Sequence, residues 1–378
     1  MTSESKVAIV HDWLTGMRGG EKVLEAICEL YPEAPVYTLV RVRGAVSARI
    51  ERHRIKSSAV QWLPQAGRLY RTYLPLFPAA VEIFDLDRYD LVISSSHCAV
   101  KSVIRNGRAT HVCYCHSPMR YAWDQFGQYF GPEQVGGLPS RLLRPVMAGL
   151  ARWDAATAGR VDHFLANSQY VARRIRRYYN RGSTVVYPPV DTAFYRPPDG
   201  PNVGGRQSAP GFLVVSALVP YKRVDIAIEA CRMAGAGLTI VGRGPEEARL
   251  RRLAGPGVEF LGWLSDEEVR DLYGRTTAVL LPGIEDFGMV PVEAQACGAP
   301  VVALRAGGAC ETVQDGVTGV LVEDGSAQGF AGGLARVRSL ELDPSAIRAN
   351  AERFSRERFM TDFQAAISDA IADRDLSR

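Results

Sequence analysis

The strongest constraint in this sequence is an order that repeats: a short, uninterrupted apolar run, then a segment with helical spacing. KVAIVHDW near the start is rich in β-branched residues, and GEKVLEAICEL after it places Val23, Ile27 and Leu30 on one helical face. Further strand-like runs stand at 89–94 (YDLVIS), 111–115, 162–166 (DHFLA) and 184–187. From Arg196 to Gly211 the chain reads RPPDGPNVGGRQSAPG, whose prolines and glycines suit a linker. The alternation then restarts with GFLVVS, LTIVG, VEFLG, AVLLP and PVVAL, each followed by a helical pattern, and a further helix near 328–338. Runs that are apolar throughout, not at alternate positions, belong to strands buried on both faces of a parallel sheet. The expected fold class is therefore α/β, with two Rossmann-like doubly wound domains facing a central cleft. The expected boundaries are a first domain at 1–195, a linker at 196–211, a second domain at 212–352 and a C-terminal helix at 353–378. Phe354, Phe359 and Phe363 would pack that helix back on the first domain. Ligands of such sheets bind outside the carboxyl ends of the strands.

Charge divides the halves. Residues 1–195 hold 25 Lys/Arg against 16 Asp/Glu, leaving 20 against 25 for the rest of a chain whose net charge is +4. A basic first half suits an anionic partner such as a phosphorylated lipid or a membrane surface, or simply a solvated basic face. It carries no nucleic-acid reader motif, so no nucleic-acid partner is expected. The seven cysteines are scattered, as reduced thiols are. Cys113, Cys115 and His116 lack a second cysteine pair at zinc spacing, and ordinary packing is expected there, with no metal. No run approaches the roughly 18 apolar residues that span a bilayer, and the start lacks the pattern of a secretory leader. A cytoplasmic address is expected.

Candidate site residues come from strand ends. LTGMRGGEKV opens a helix after the first strand, and Gly19 and Gly20 would let backbone approach an anion at the helix start. Tight-turn glycines account for the motif nearly as well. In SALVPYKRVDIAIEA, Lys222 stands at a strand-to-helix connection, where it could meet a phosphate or only solvent. His116 ends a strand before Ser117-Pro118, and Arg120 and Asp124 follow as acceptor contacts or as a local ion pair. In EDFGMVPVEAQACGAP, Gly288 suits a turn and Pro291 the first turn of a helix that starts near Val290 or Pro291. Glu293 would lie in that first turn, where a carboxylate complements the helix dipole, but the dipole does not explain Glu285. Two carboxylates flanking an anion-favouring helix start can hold the hydroxyls on both sides of a phosphate, which describes a nucleotide-sugar.

These residues resemble the donor site of retaining GT-B glycosyltransferases of family 4. Glu285 and Glu293 have the family's E-x7-E spacing, and the likeness runs through VGRGPEEARLRRLAGPGVEFLGWLSDEEVRDLY and VVYPPVDTAFY. HDWLTGMRGGEKVLEAI, SSSHCAVKSV, CYCHSPMRYAWDQF and ANSQYVARRI are similar to its mannosyltransferase-like branch in surface-polysaccharide assembly. The resemblance implies an acceptor-binding first domain and a donor-binding second domain. It implies that Glu285 holds the sugar hydroxyls and Glu293 the ribose, while Phe287, Gly288, Met289 and Val290 line the sugar and phosphates. Lys222 would neutralise the leaving diphosphate, Gly19 and Gly20 would border it, and His116 would sit near the anomeric carbon. Arg243 and Trp263 fall within the donor-binding set. The family's R-x4-K arginine is replaced by Ala217, and Arg223, Arg243 or the acceptor could supply that charge instead.

The expected activity is transfer of a hexose, mannose favoured, from GDP-mannose to a lipid-linked or polysaccharide acceptor, with no cofactor and no metal. Residues 58–84 interleave Arg68 and Arg71 with Trp62, Leu63, Leu69, Tyr70, Tyr73, Leu74, Leu76 and Phe77. Such a segment is either a core helix with a basic edge or a rest for an anionic membrane and a polyprenyl-diphosphate glycan. Rival readings are another UDP- or GDP-sugar donor, a sugar-nucleotide epimerase, and an idle nucleotide-sugar-binding protein.

Overall fold

The computed structural model describes residues 6–197 and 211–376. Thirteen strands form two sheets. The first holds β1 (Val7–Leu14), β2 (Val36–Arg41), β3 (Ile55–Ser57), β4 (Leu91–Ser96), β5 (Thr110–Cys115), β6 (His163–Ala166) and β7 (Thr184–Val185), in spatial order 3-2-1-4-5-6-7. The second holds β8 (Phe212–Val215), β9 (Leu238–Val241), β10 (Val258–Gly262), β11 (Val279–Leu281), β12 (Val301–Leu304) and β13 (Gly319–Val322), in order 10-9-8-11-12-13. All pairings are parallel; Ile9 of β1, for example, lies between Val36 of β2 and Ile93 of β4. Each sheet thus reverses its strand order once, between β1 and β4 and between β8 and β11. These reversals leave a crevice at the carboxyl ends where the outgoing connections diverge.

Three strands go beyond the sequence-based expectation. β2 carries the apolar run VYTLV between turns, β3 has only three residues at a sheet edge, and β13 starts on a glycine, a poor strand former. That glycine is required: a Cβ on Gly319 would fall 2.0 Å from the Val301 carbonyl oxygen.

The chain divides into two compact units, Met1–Pro189 with Phe359–Arg378, and Val190–Arg358. The division falls at Pro189, ahead of the expected Tyr195. Residues 190–195 are fastened inside the second unit: Val190 N donates to Phe354 O at 3.0 Å, Thr192 Oγ1 to Glu352 at 2.7 Å, and Arg348 to the Thr192 and Tyr195 carbonyls at 3.1 and 3.2 Å. Residues 198–210 of the expected linker lie outside the described residues. At the other end, Phe354 packs on Phe287 within the second unit, so it does not join the helix as expected. Helix Arg356–Leu376 places Phe359, Phe363, Ile367 and Ala370 in the first unit's core, with the Phe359 and Phe363 rings against Tyr114.

On the other face of the first sheet, Lys101 and Asp154 form a buried ion pair with Nζ and Oδ1 3.0 Å apart. Asp154 Oδ2 also accepts from Trp123 Nε1 at 2.7 Å and from the Tyr179 hydroxyl at 2.8 Å, so one carboxylate ties three helical segments together. Among the described residues, no helix is long and apolar enough to cross a membrane. Replacing Lys101 with methionine keeps the packing but leaves a buried carboxylate without its cation. Lys101→Met should destabilise the protein by about 3–5 kcal/mol, read as a lower urea midpoint in tryptophan fluorescence.

Candidate active site

At the order reversal of the first sheet, β1 carries two polar residues, His11 and Asp12, that an apolar strand would otherwise exclude. The Asp12 carboxylate is buried and accepts from four consecutive amides: His97 and Cys98 at 2.7 and 2.9 Å on Oδ2, Ala99 and Val100 at 2.7 and 3.1 Å on Oδ1. It thereby fixes the turn that leaves β4. Three imidazoles gather there, one from each of β1, the turn after β4 and the end of β5. Ring centroids are 5.9 Å apart for His11 and His97, 6.5 Å for His11 and His116, and 6.1 Å for His97 and His116. His116 Nε2 lies 2.8 Å from Ser95 Oγ, which is 3.1 Å from His11 Nδ1. The His116 backbone is held from both sides, its amide donating to Ser96 O at 2.8 Å and its carbonyl accepting from Asn167 Nδ2 at 3.0 Å.

The glycine-rich turn meets this cluster. Helix Gly19–Leu30 begins with Gly19 exposed and Gly20 against the rings, where a Cβ would lie 3.7 Å from His11 Cε1 and 3.8 Å from His116 Cε1. Glu21 is buried and stands 3.7 Å from His11 Nε2, with its other oxygen accepting from Arg18 N at 3.1 Å. Burial works to raise the Glu21 carboxyl pKa, but the neighbouring His11 and His97 imidazoles and its own backbone outweigh burial and hold it below its ordinary value. Burial, reinforced by the other two imidazoles, holds the His116 pKa well below its usual range, so it is neutral.

Arg120 starts the short helix Arg120–Trp123 and its charge opposes protonation of His97. Asp124 forms an ion pair with Arg174 at 2.7 Å. Cys113 and Cys115 both pack with Phe164, Val171 and Ile175, where burial pushes the Cys113 thiol up to about 12; they do not converge with His116. His11, Asp12, Glu21, Ser95 and His97 are the residues that sequence reasoning missed. Their signal was the polar pair HD and the run SSSH at the ends of otherwise apolar strands.

In the second unit the reversal between β8 and β11 gathers the other candidates. After β8, a single turn at Pro220–Lys222 is closed by Arg223 in the left-handed conformation, φ 52°. The connection after β11 lies on it: a Cβ on Gly283 would fall 2.5 Å from Tyr221 O and 2.8 Å from Lys222 Cα. This contact brings Lys222 Nζ into an ion pair with Glu285. Gly288, at φ 86°, then turns the chain into helix Met289–Ala296, with no side-chain cap on its first turn. Pro291 is the third helical residue, where no intrahelical amide bond is lost. Glu293 therefore lies in the second turn, one turn later than expected. It is buried, and accepts from the Tyr273 hydroxyl at 3.4 Å. Burial and then Glu293 push the Tyr273 phenol well up, keeping it a donor.

The remaining donor candidates surround this turn. Phe287 is buried beneath it, and Met289 and Val290 are half-buried at the helix start. Ala217 is exposed, and its neighbour Leu218 donates to Arg243 O at 3.0 Å, which places the exposed Arg243 on the adjoining loop. Trp263 is exposed at 72% just past β10. The site thus offers a cation, two carboxylates and a helix N-terminus within one strand-end crevice, a set able to hold an anion flanked by hydroxyls.

The turn leans on a second glycine pair. Gly308 N donates to Glu285 O at 2.9 Å, and a Cβ on Gly308 would fall 2.3 Å from Phe287 O and 2.4 Å from Phe287 Cα. Gly308→Ala must therefore displace residues 285–288, at an overpacking cost of about 1–3 kcal/mol. Hydrogen exchange should quicken at 285–290 and stay unchanged in β11 and β12; unchanged exchange at 285–290 would refute the coupling.

Residues 17–194 match the family model described as Glycosyltransferase Family 4, and residues 203–354 the one described as Glycosyl transferases group 1. The D-inositol 3-phosphate glycosyltransferase of Acidothermus cellulolyticus is 31% identical over 274 residues, 62% of this chain and 61% of its own length. A GDP-mannose-dependent alpha-(1-6)-phosphatidylinositol monomannoside mannosyltransferase of Mycobacterium tuberculosis is 31% identical over 195 residues, 45% of this chain and 51% of its own. The chain spans about half to three fifths of the length of these curated relatives. Among solved structures, Anabaena HepE in complex with UDP aligns with a TM-score of 0.69 at 23% identity, covering 96% of this chain and 100% of that one. The lipopolysaccharide outer core galactosyltransferase WaaB aligns with a TM-score of 0.64 at 20% identity, over 96% and 99%. At such identities the likeness concerns the fold, two parallel-sheet Rossmann-like domains. With its first half matched by family 4, its second by group 1 and this fold beneath both, the chain belongs to the GT-B glycosyltransferases.

Proposed function

We propose that the protein is a retaining glycosyltransferase that moves a hexose, mannose in the first instance, from GDP-mannose to a hydroxyl of a lipid-linked or polysaccharide glycan. The observation that carries this reading is the Lys222–Glu285 pair at the β8/β11 reversal, with Glu293 and an N-terminal helix turn beside it. In the transfer, the bond between the anomeric carbon and the diphosphate oxygen breaks, its electron pair leaves with the diphosphate, and the acceptor oxygen bonds the carbon while its proton passes to the departing diphosphate oxygen. Negative charge grows on the diphosphate, so preorganised positive groups are the main catalytic resource. A diphosphate competes with Glu285 for Lys222, and once Lys222 engages it, Glu285 can accept hydrogen bonds from the sugar hydroxyls. Glu293 would hold the ribose. Arg223, Arg243 or the acceptor would supply the charge of the arginine that the family's pattern puts at Ala217. Gly19, Gly20 and His116 would serve the sugar and diphosphate from the first sheet, and the reaction takes no metal or cofactor.

GDP-mannose is favoured by the named specificity of the Mycobacterium tuberculosis relative, whose phosphatidylinositol-linked acceptor also supports a lipid-linked acceptor here. Residues 58–84 add support. Tyr70, Leu74 and Phe77 are buried in the core, while Trp62, at 86% exposure, Leu69, Leu76 and Arg68 face outward, as in a segment that rests on an anionic membrane. On this reading the protein works peripherally at the inner face of the cytoplasmic membrane.

A panel of nucleotide-sugars screened by thermal shift, followed by product analysis with lipid-diphosphate glycans, tests the reading. GDP-mannose should stabilise the fold and yield a glycoside of unchanged anomeric configuration, at a rate that EDTA leaves unaltered. Glu285→Ala should lower kcat at least on the order of 100-fold without unfolding the protein. Full activity in that variant would remove Glu285 from the site. An altered nucleotide-sugar formed without acceptor would replace transfer with epimerisation, and binding without turnover would leave an idle binding protein.

A further inference from the structure

Ser95 stands between two imidazoles, and its single proton can serve only one of them. Its Oγ is 2.8 Å from His116 Nε2 and 3.1 Å from His11 Nδ1, so the chain of hydrogen bonds can run in two directions. If Ser95 donates to His116, a neutral His11 gives its Nδ1 proton to Ser95 and turns a bare Nε2 toward the Glu21 carboxylate. Lone pairs then oppose each other at 3.7 Å, inside the fold. If Ser95 donates to His11 instead, His11 presents Nε2–H to Glu21, and His116 donates its Nε2 proton to Ser95. Only the second direction gives the buried carboxylate a proton to face. His11 Nε2 is buried and has no hydrogen-bond partner, so nothing else in its surroundings offsets the unfavourable direction.

We propose that Glu21, His11 and Ser95 are positioning residues that hold His116 as its Nε2–H tautomer, leaving Nδ1 to accept a hydrogen bond from a substrate hydroxyl. A bare Nδ1 accepts from a hydroxyl and repels a phosphate oxygen, so His116 itself reads sugar rather than diphosphate. Naming a sugar hydroxyl rests on the glycosyl-transfer reading; the tautomer does not.

The surroundings agree. His97, itself against Asp12 and within the field of Arg120, and the Tyr114 ring, 5.1 Å from the His116 ring, are the other groups facing His116. Burial keeps His116 neutral, and the Glu21 carboxylate faces His11 Nε2 across 3.7 Å while its other oxygen accepts from Arg18 N. Gly20 keeps a side chain off the His116 ring.

The test is the tautomer itself. In the full chain with 15N-labelled histidine, two-bond 15N–1H correlations distinguish Nε2–H from Nδ1–H, and His116→Gln assigns the signals among the six histidines. The wild type should show His116 as Nε2–H, and Glu21→Gln and Ser95→Ala should each move it toward a mixture. Glu21→Gln should lower kcat/KM roughly 10-fold, about one hydrogen bond's worth. Nδ1–H in the wild type, a doubly protonated His11, or Nε2–H unchanged in both variants would overturn the proposal. If one variant fails to fold, the other carries the test. Should the tautomer behave as proposed while no nucleotide-sugar is turned over, the relay stands and the glycosyl-transfer reading alone fails.

Discussion

The first sheet's chemistry hangs on one carboxylate. Asp12 is buried, yet its two oxygens collect four successive amides of the turn leaving β4. Those amides are the ones that a turn at a strand end leaves unpaired, and a carboxylate is the strongest acceptor a side chain can offer them. The bond set stitches the end of β1 to the end of β4, the two strands whose connections diverge. With that seam closed, His11 before Asp12 and His97 after β4 have fixed positions, and His116 arrives on the neighbouring β5. The geometry of the histidine cluster is therefore a by-product of satisfying a turn.

The second unit reaches an equivalent layout by different means. Its strand order repeats that of the first sheet's first six strands, so its crevice also opens between the first strand and the fourth. Glycines at 283, 307 and 308 instead let three connections lie backbone against backbone, and the Lys222–Glu285 pair spans two of them. Where the first unit spends a charge to fix a loop, the second removes side chains.

Much of this was legible from the sequence because parallel strands must be apolar on both faces, and runs such as VAIV, LVIS and VVAL have no other use in a soluble fold. Glu285, Gly288 and Pro291 were legible for a related reason, since a glycine and a proline just after a strand mark where a helix starts. Less could be read where a position depends on a partner distant in sequence. Asp124 looks like a ligand contact until Arg174 is found beside it. Glu293 looks like a dipole complement until Tyr273 claims it in the second turn. The cluster of His11, Ser95 and His116 spans more than a hundred residues, and no local pattern announces it. The ion pair of Lys101 and Asp154 was hidden likewise, because an isolated lysine and aspartate read as surface residues.

Helix Arg356–Leu376 has a consequence for biosynthesis. The Tyr114 ring, inside the first sheet's core, is covered by Phe359 and Phe363, which belong to the last part of the chain. A ribosome delivers residues in order, so the first unit emerges with an apolar face of its sheet still open and waits for the whole second unit to be made. The unit that is first in sequence is therefore the last to close, and its nascent form needs shelter from aggregation for the time it takes to translate the rest.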